Sequence, residues 1–293
     1  MKTHSNSKRL ALGTVQFGVD YGISNTRGKV PREEVFQILE CAYLNGVDTL
    51  DTAYNYGESE KIIGEFIKST GHGFKVISKL PTGKSGEEIE QVLDMSLKNL
   101  NTDSVYGYLF HDFNSFKKDS SLLNTVLQIK ETGKISKVGF SLYYPEELQY
   151  LIDKKVSFDI IQIPYNIFDQ RFAEYFDQLK KDGVEIHVRS VFLQGLFFLK
   201  PEELKDRFIE VRPQITLLNS IAKRLNLTIS SLCINFVLNS KYIDKIVIGV
   251  DNLSNLKENL DSLSDAKKVA QVNKELEGLR IENEQIILPT NWS

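Results

Sequence analysis

The segment Thr49-Leu-Asp-Thr-Ala-Tyr-Asn-Tyr-Gly-Glu-Ser-Glu60 sets a carboxylate, Asp51, ahead of a tyrosine, Tyr56, on an apolar run that ends Val47-Asp-Thr-Leu50. A carboxylate buried at the end of such a run needs a partner or a task. A phenol that must part with its proton near neutral pH needs a cation beside it. Two later runs end in suitable groups: Val76-Ile-Ser-Lys79 in a lysine, and Tyr108-Leu-Phe-His111 in a histidine. Taken singly, each residue has an ordinary role. Asp51 would cap a helix, Tyr56 would be one of twelve tyrosines, Lys79 an exposed strand end and His111 a hydrogen-bonded core histidine. Their recurrence in order, at the tips of successive runs, is what points to acid–base chemistry.

Those tips have to be positioned by something, and the chain alternates in a way that does it. Short Val-, Ile- and Phe-rich runs are followed by longer segments of helical period. The pattern predicts strands over Leu10–Gly13, Thr49–Asp51, Lys75–Lys79, Val105–His111, Ile135–Ser141, Ile160–Pro164, Glu185–Arg189 and Lys245–Ile248. Helices are predicted near Pro31–Asn45, Ser59–Lys68, Gly86–Asn99, Ser120–Thr132, Pro145–Lys154, Phe172–Asp182, Pro213–Asn226 and Ile229–Leu238. Pro31 followed by two acids reads as a first helical turn, and Asn45-Gly46 and Asp182-Gly183 read as helix stops. Eight strands with intervening helices argue for a single-domain α/β protein, a (β/α)₈ TIM barrel. No linker, low-complexity tract or solenoid repeat interrupts it.

The four strand-end residues, with the spacing Asp-Thr-Ala-x-x-Tyr-Gly-x-x-Glu from Asp51 to Glu60, resemble the catalytic tetrad and signature of the aldo-keto reductase superfamily. The resemblance covers nearly the whole chain. It implies that Tyr56 is the general acid, that Lys79 favours its phenolate, that Asp51 holds Lys79, and that His111 orients a substrate carbonyl. Hydride would come from a nicotinamide, since no side chain donates one. The first strand is followed by no Gly-x-Gly-x-x-Gly, so a Rossmann site is not indicated. The family instead lays its dinucleotide across the barrel mouth. On that resemblance Gly13 and Thr14 contact the cofactor, Ser141 and Gln162 hold its carboxamide, and Ser190, Gln194 and Gly195 lie along the diphosphate. Leu142 stands where the family usually has Asn, and Arg189 where it often has an aromatic residue. A guanidinium plane also stacks, and it adds positive charge. Glu258 and Asn259 match a pair at the adenine end; Gly249 and Asn255 occupy positions often basic in NADP-preferring members. Family habit gives NADP, while the charge of Asp251 argues for NAD.

Phe17, Tyr21, Tyr54, Phe113 and Trp292 are the expected substrate-pocket residues, an aromatic wall suited to a cyclic or hydroxylated carbonyl compound such as an aldose. The tail, 266–293, is expected to begin helical, end extended and lie over or beside the mouth. A net charge of −3 without like-charge blocks gives no sign of nucleic-acid binding. No run reaches membrane-spanning length, and the first nine residues lack an apolar h-region, so a cytoplasmic protein is expected. Cys41 and Cys233 read as free core thiols. Four histidines, none as His-x-His, disfavour a metal-dependent hydrolase, and no metal site is expected. The resulting expectation is an NAD(P)-dependent oxidoreductase acting on a small carbonyl or sugar. Its rival is a nicotinamide-binding regulatory subunit of the same fold with little turnover. Oligomeric state is left open.

Overall fold

The computed structural model describes residues 6–23 and 25–292. The β-branched runs become eight strands: β1 Leu10–Gly13, β2 Thr49–Asp51, β3 Lys75–Leu80, β4 Val105–Phe110, β5 Ile135–Ser141, β6 Ile160–Pro164, β7 Glu185–Arg189 and β8 Lys245–Gly249. All neighbours pair in parallel, and β8 closes on β1 through Leu10↔Ile246 to Gly13↔Gly249. Parallel strands need a crossover of a dozen or more residues, and the amphipathic segments supply it. Helix Gly86–Leu100 shows how. It starts at a Ser85–Glu88 capping box and turns Ile89, Val92, Leu93, Leu97 and Leu100 inward at helical spacing. Each fully buried Leu or Ile there contributes roughly 1.5–3 kcal/mol of transfer free energy. The main core lies between barrel and helices, while Ile77, Leu109 and Ile160 form a small separate cluster.

Differences from the predicted elements sit at the ends and in short segments. β3 runs on to Leu80, β4 stops at Phe110 and β8 reaches Gly249. The predicted Phe172–Asp182 helix is a 3-10 turn, Ala173–Tyr175, followed by α-helix Phe176–Lys181. Helix Phe113–Lys118, capped by Asp112, and helix Leu253–Ser262, capped by Asn252, were not among the predicted helices. The tail ends in a 3-10 turn, Pro289–Asn291, rather than extended. It sits beside the loops that follow β6 and β7: Ile281 N–H donates to Phe168 O at 2.9 Å, Arg171 pairs with Glu284 at 2.7 Å, and Trp292 packs on Phe208. Both cysteines are free thiols, and among the described residues no single helix is long and apolar enough to cross a membrane.

Candidate active site

Strand register brings the predicted residues to one rim. Gly13 pairs with Asp51, Asp51 with Ile77, and Lys79 with Leu109, so Lys79 stands one side-chain repeat beyond the partner of Asp51. Lys79 is 2% exposed and Asp51 5%. The Lys79 Nζ donates to Asp51 Oδ1 at 2.6 Å and to Thr52 O at 2.9 Å. The second carboxylate oxygen, Oδ2, accepts from Gln162 Nε2 at 2.6 Å. A buried pair survives desolvation only when its remaining polar atoms are matched in this way. The ammonium lies 5.2 Å from the centre of the Tyr56 ring, and the His111 ring meets that of Tyr56 edge-on at 5.8 Å.

The loop carrying Tyr56 is locked to the loop after β1. Thr14 N–H donates to Asp51 O, Ser59 Oγ to Thr14 Oγ1 at 2.8 Å, and Thr52 Oγ1 lies 3.1 Å from Ser59 Oγ. Gly18 makes the approach possible, because a Cβ there would fall 1.7 Å from Tyr56 O. Gly18→Ala is therefore expected to push the Tyr56 loop outward. Turnover should drop about a hundredfold or more, as 1 Å misplacements do, while urea unfolding reports a folded protein. Unchanged turnover would show that Tyr56 needs no such fixing.

Burial dominates the electrostatics. It pushes the Tyr56 phenol above its ordinary 10.0, outweighing the downward pull of Lys79. Lys79 favours the phenolate, yet the balance of burial and charge leaves Tyr56 protonated at neutral pH. Burial also works against charge on Lys79, but Asp51 and Tyr56 more than offset it and hold the ammonium. His111, desolvated and facing the Lys79 charge, is pushed down to about 4 and is neutral at pH 7. A neutral imidazole still offers one N–H donor.

Tyr56 and His111 open onto a cavity of about 510 Å³. All twelve residues expected at the cofactor line it: Gly13, Thr14, Ser141, Gln162, Arg189, Ser190, Gln194, Gly195, Gly249, Asn255, Glu258 and Asn259. The lining suits a nicotinamide dinucleotide in two places. Ser141 Oγ lies 3.5 Å from Gln162 Oε1, a hydroxyl beside a carbonyl oxygen, which complements a primary amide. Ser190 and Gln194 on the lining hold left-handed backbone, with φ of 60° and 50°, strain of a kind that clusters at ligand sites. Leu142 turns its side chain into the core, fully buried, and its carbonyl accepts from Arg189 Nη2 at 2.8 Å. The Arg189 guanidinium stacks 4.0 Å over Tyr143.

Of the five expected pocket aromatics, only Tyr21 lines the cavity. Phe17 sits in the one-turn helix Val15–Gly18 and faces the core at 0% exposure. Phe113, at the start of its helix, packs on Phe116 and Tyr150. Tyr54 is 37% exposed and off the cavity wall, and the Trp292 indole donates to Ile286 O within the tail. The aromatic wall comes instead from Tyr143, Phe192 and Phe198 with Tyr21. Tyr143 lies two residues past the end of β5, where the strand-end rule would have found it. Gln16 and Arg27 also line the cavity and escaped the sequence reading. Arg27 belongs to a loop that crosses the mouth: Ile23 N–H donates to Gln194 O at 3.0 Å, and Arg27 Nη1 to Asp251 O at 3.3 Å.

Residues 9–281 match the model of the aldo/keto reductase family. The chain belongs to that family, and so to the oxidoreductases. L-galactose dehydrogenase of Arabidopsis thaliana is 22% identical over 278 residues, covering 89% of this chain and 87% of its own. L-glyceraldehyde 3-phosphate reductase of Escherichia coli is 22% identical over 82% of each chain. The holo form of the aldo-keto reductase AKR11C1 from Bacillus halodurans superposes with a TM-score of 0.76 at 19% identity, over 94% of this chain and 95% of its own. That last likeness is one of fold.

Proposed function

We propose that this aldo/keto reductase is an NAD(P)-dependent carbonyl reductase, or the dehydrogenase running the same step in reverse, for small aldehydes, ketones or aldoses. The observation that carries the reading is the buried Lys79–Asp51 pair, its ammonium 5.2 Å from the ring of Tyr56 on the cavity wall. A bound nicotinamide would supply the hydride. Ser141 and Gln162 would hold its carboxamide, and Gly13, Thr14, Arg189, Ser190, Gln194 and Gly195 would line its path. The chain's own residues handle the proton. His111 donates its N–H to the substrate oxygen and fixes it near Tyr56. As charge develops on that oxygen, the Tyr56 hydroxyl gives up its proton, and Lys79 stabilises the phenolate left behind. The aldose end of the range is supported by two relatives named for galactose and for L-glyceraldehyde 3-phosphate. The test is nicotinamide absorbance during incubation with NADH or NADPH and a panel of aldoses, glyceraldehyde and aromatic aldehydes. Oxidation of the nucleotide, unaffected by a chelator, is expected with at least one. Silence across the panel, in both directions, would refute the reading.

A further inference from the structure

We infer that Gln16 and Asp251 make the cavity select a dinucleotide with a free adenosine 2′-hydroxyl, NAD rather than NADP. The inference rests on the hydride-transfer reading. A dinucleotide with its reacting carbon beside Tyr56 would have to fill the rest of the cavity, part of which is walled by the end of β8 and helix Leu253–Ser262.

Three observations define what that wall accepts. Gln16 is 7% exposed and lies across Gly249, where an added Cβ would stand 2.7 Å from its Nε2. Its side chain faces the Asp251 carboxyl and favours the charged form there, while its Oε1 is buried with no hydrogen-bond partner among the described residues. An acceptor in that state calls for a donor. Asp251, half-buried on the same wall, is a second acceptor when ionised. The cation lining this part of the cavity is Arg27, and it is already engaged. Its Nη2 meets Glu34 Oε2 at 2.8 Å and its Nη1 meets Asp251 O at 3.3 Å, while Glu34 also accepts from Leu253 N–H at 3.2 Å. A ribose hydroxyl donates to Gln16 Oε1 or to the Asp251 carboxylate. An ionised 2′-phosphate has no proton to donate, brings charge of the same sign as Asp251, and meets in Arg27 a guanidinium already paired with Glu34. Specificity here would come as much from rejecting the phosphate as from holding the hydroxyl.

The experiment is fluorescence titration of the full chain with NADH and, separately, NADPH. NADH is expected to bind at least about tenfold tighter. In Asp251→Asn, and independently in Gln16→Met, that ratio should shrink several-fold. Asp251 is half-exposed, so its variant is expected to fold, and urea unfolding of both variants checks it. Equal affinities, or tighter NADPH, in the wild-type protein would overturn the inference and leave the hydride-transfer reading standing. A preference for NADH that neither variant alters would overturn the assignment to Gln16 and Asp251. Binding of neither nucleotide would remove the hydride-transfer reading and the inference with it.

Discussion

Tyr56→Phe is expected to abolish turnover while leaving dinucleotide affinity nearly unchanged. The substitution removes one hydroxyl and keeps the ring that faces His111 and Lys79. Proton transfer from a positioned side chain supplies about 10²–10⁴-fold of rate, so the loss should be at least about a hundredfold. The fold has little reason to suffer. Burial of the phenol already disfavours its charged form, and phenylalanine carries no such group. Steady-state rates, nucleotide titration and urea unfolding on one preparation separate the possibilities. A variant that kept most of its rate would sink Tyr56 as the acid. A variant that lost nucleotide binding would mean the hydroxyl holds the cofactor instead.

The same electrostatics fix the direction of the pH dependence. A phenol held above 10.0 stays protonated through neutrality, so carbonyl reduction should be flat there and decline only on the alkaline side. Alcohol oxidation needs the phenolate and should rise with pH across the same range. His111, with its ionisation lowered to about 4, should add no inflection near its ordinary 6.5.

Much of this site could be read in the residues because a parallel barrel delivers every strand's C-terminal end to one face. Finding the runs that end in Asp51, Lys79 and His111 is then nearly the same as finding a shared site. Gln162 came from the resemblance alone, since it sits mid-strand in β6, where register sets it across from Ser141. What failed was side-chain direction in short irregular pieces. Phe17 and Phe113 lie close after strand ends, yet each sits in a short helix whose buried side takes the ring. Helical period gives no warning over one turn. The loop from Ser190 to Gly195 was read as lining, but not its left-handed backbone, since Ser190, Leu193 and Gln194 are not residues that advertise positive φ. Arg27 and Gln16 were missed for a different reason. Arg27 is brought to the mouth by contacts between residues far apart in sequence, Ile23 with Gln194 and Arg27 with Asp251, and Gln16 in its one-turn helix meets Gly249 across the barrel closure. No local pattern encodes such a contact.

Lys79→Met should damage both stability and rate, and the two effects have separate causes. The side chain is almost wholly buried, and methionine fills a similar volume with an apolar stem. Asp51, also buried, would keep only Gln162 as a partner for its charge. Breaking a buried pair from one side typically costs about 3–5 kcal/mol, because the other charge is stranded. Removing both charges restores most of that, so Lys79→Met with Asp51→Leu should regain stability in urea unfolding. The alkaline side carries a further signature. Lys79 is held charged beyond its ordinary 10.5. Its stabilisation is therefore complete below that pH and fades as pH rises toward the folded value. Wild-type protein should lose this increment above about pH 10.4, and the methionine variant should have none to lose. The rate follows different logic. Without the ammonium, burial and Asp51 act on the Tyr56 phenol with only Arg189 left to oppose them. Its proton becomes harder to give, and reduction should slow by at least about a hundredfold. Regaining the fold in the double variant does not return that charge, so its rate should stay low. A double variant that recovered both would show that Lys79 matters only as a strut, and rates like wild type in Lys79→Met across the pH range would break the Lys79–Tyr56 coupling outright.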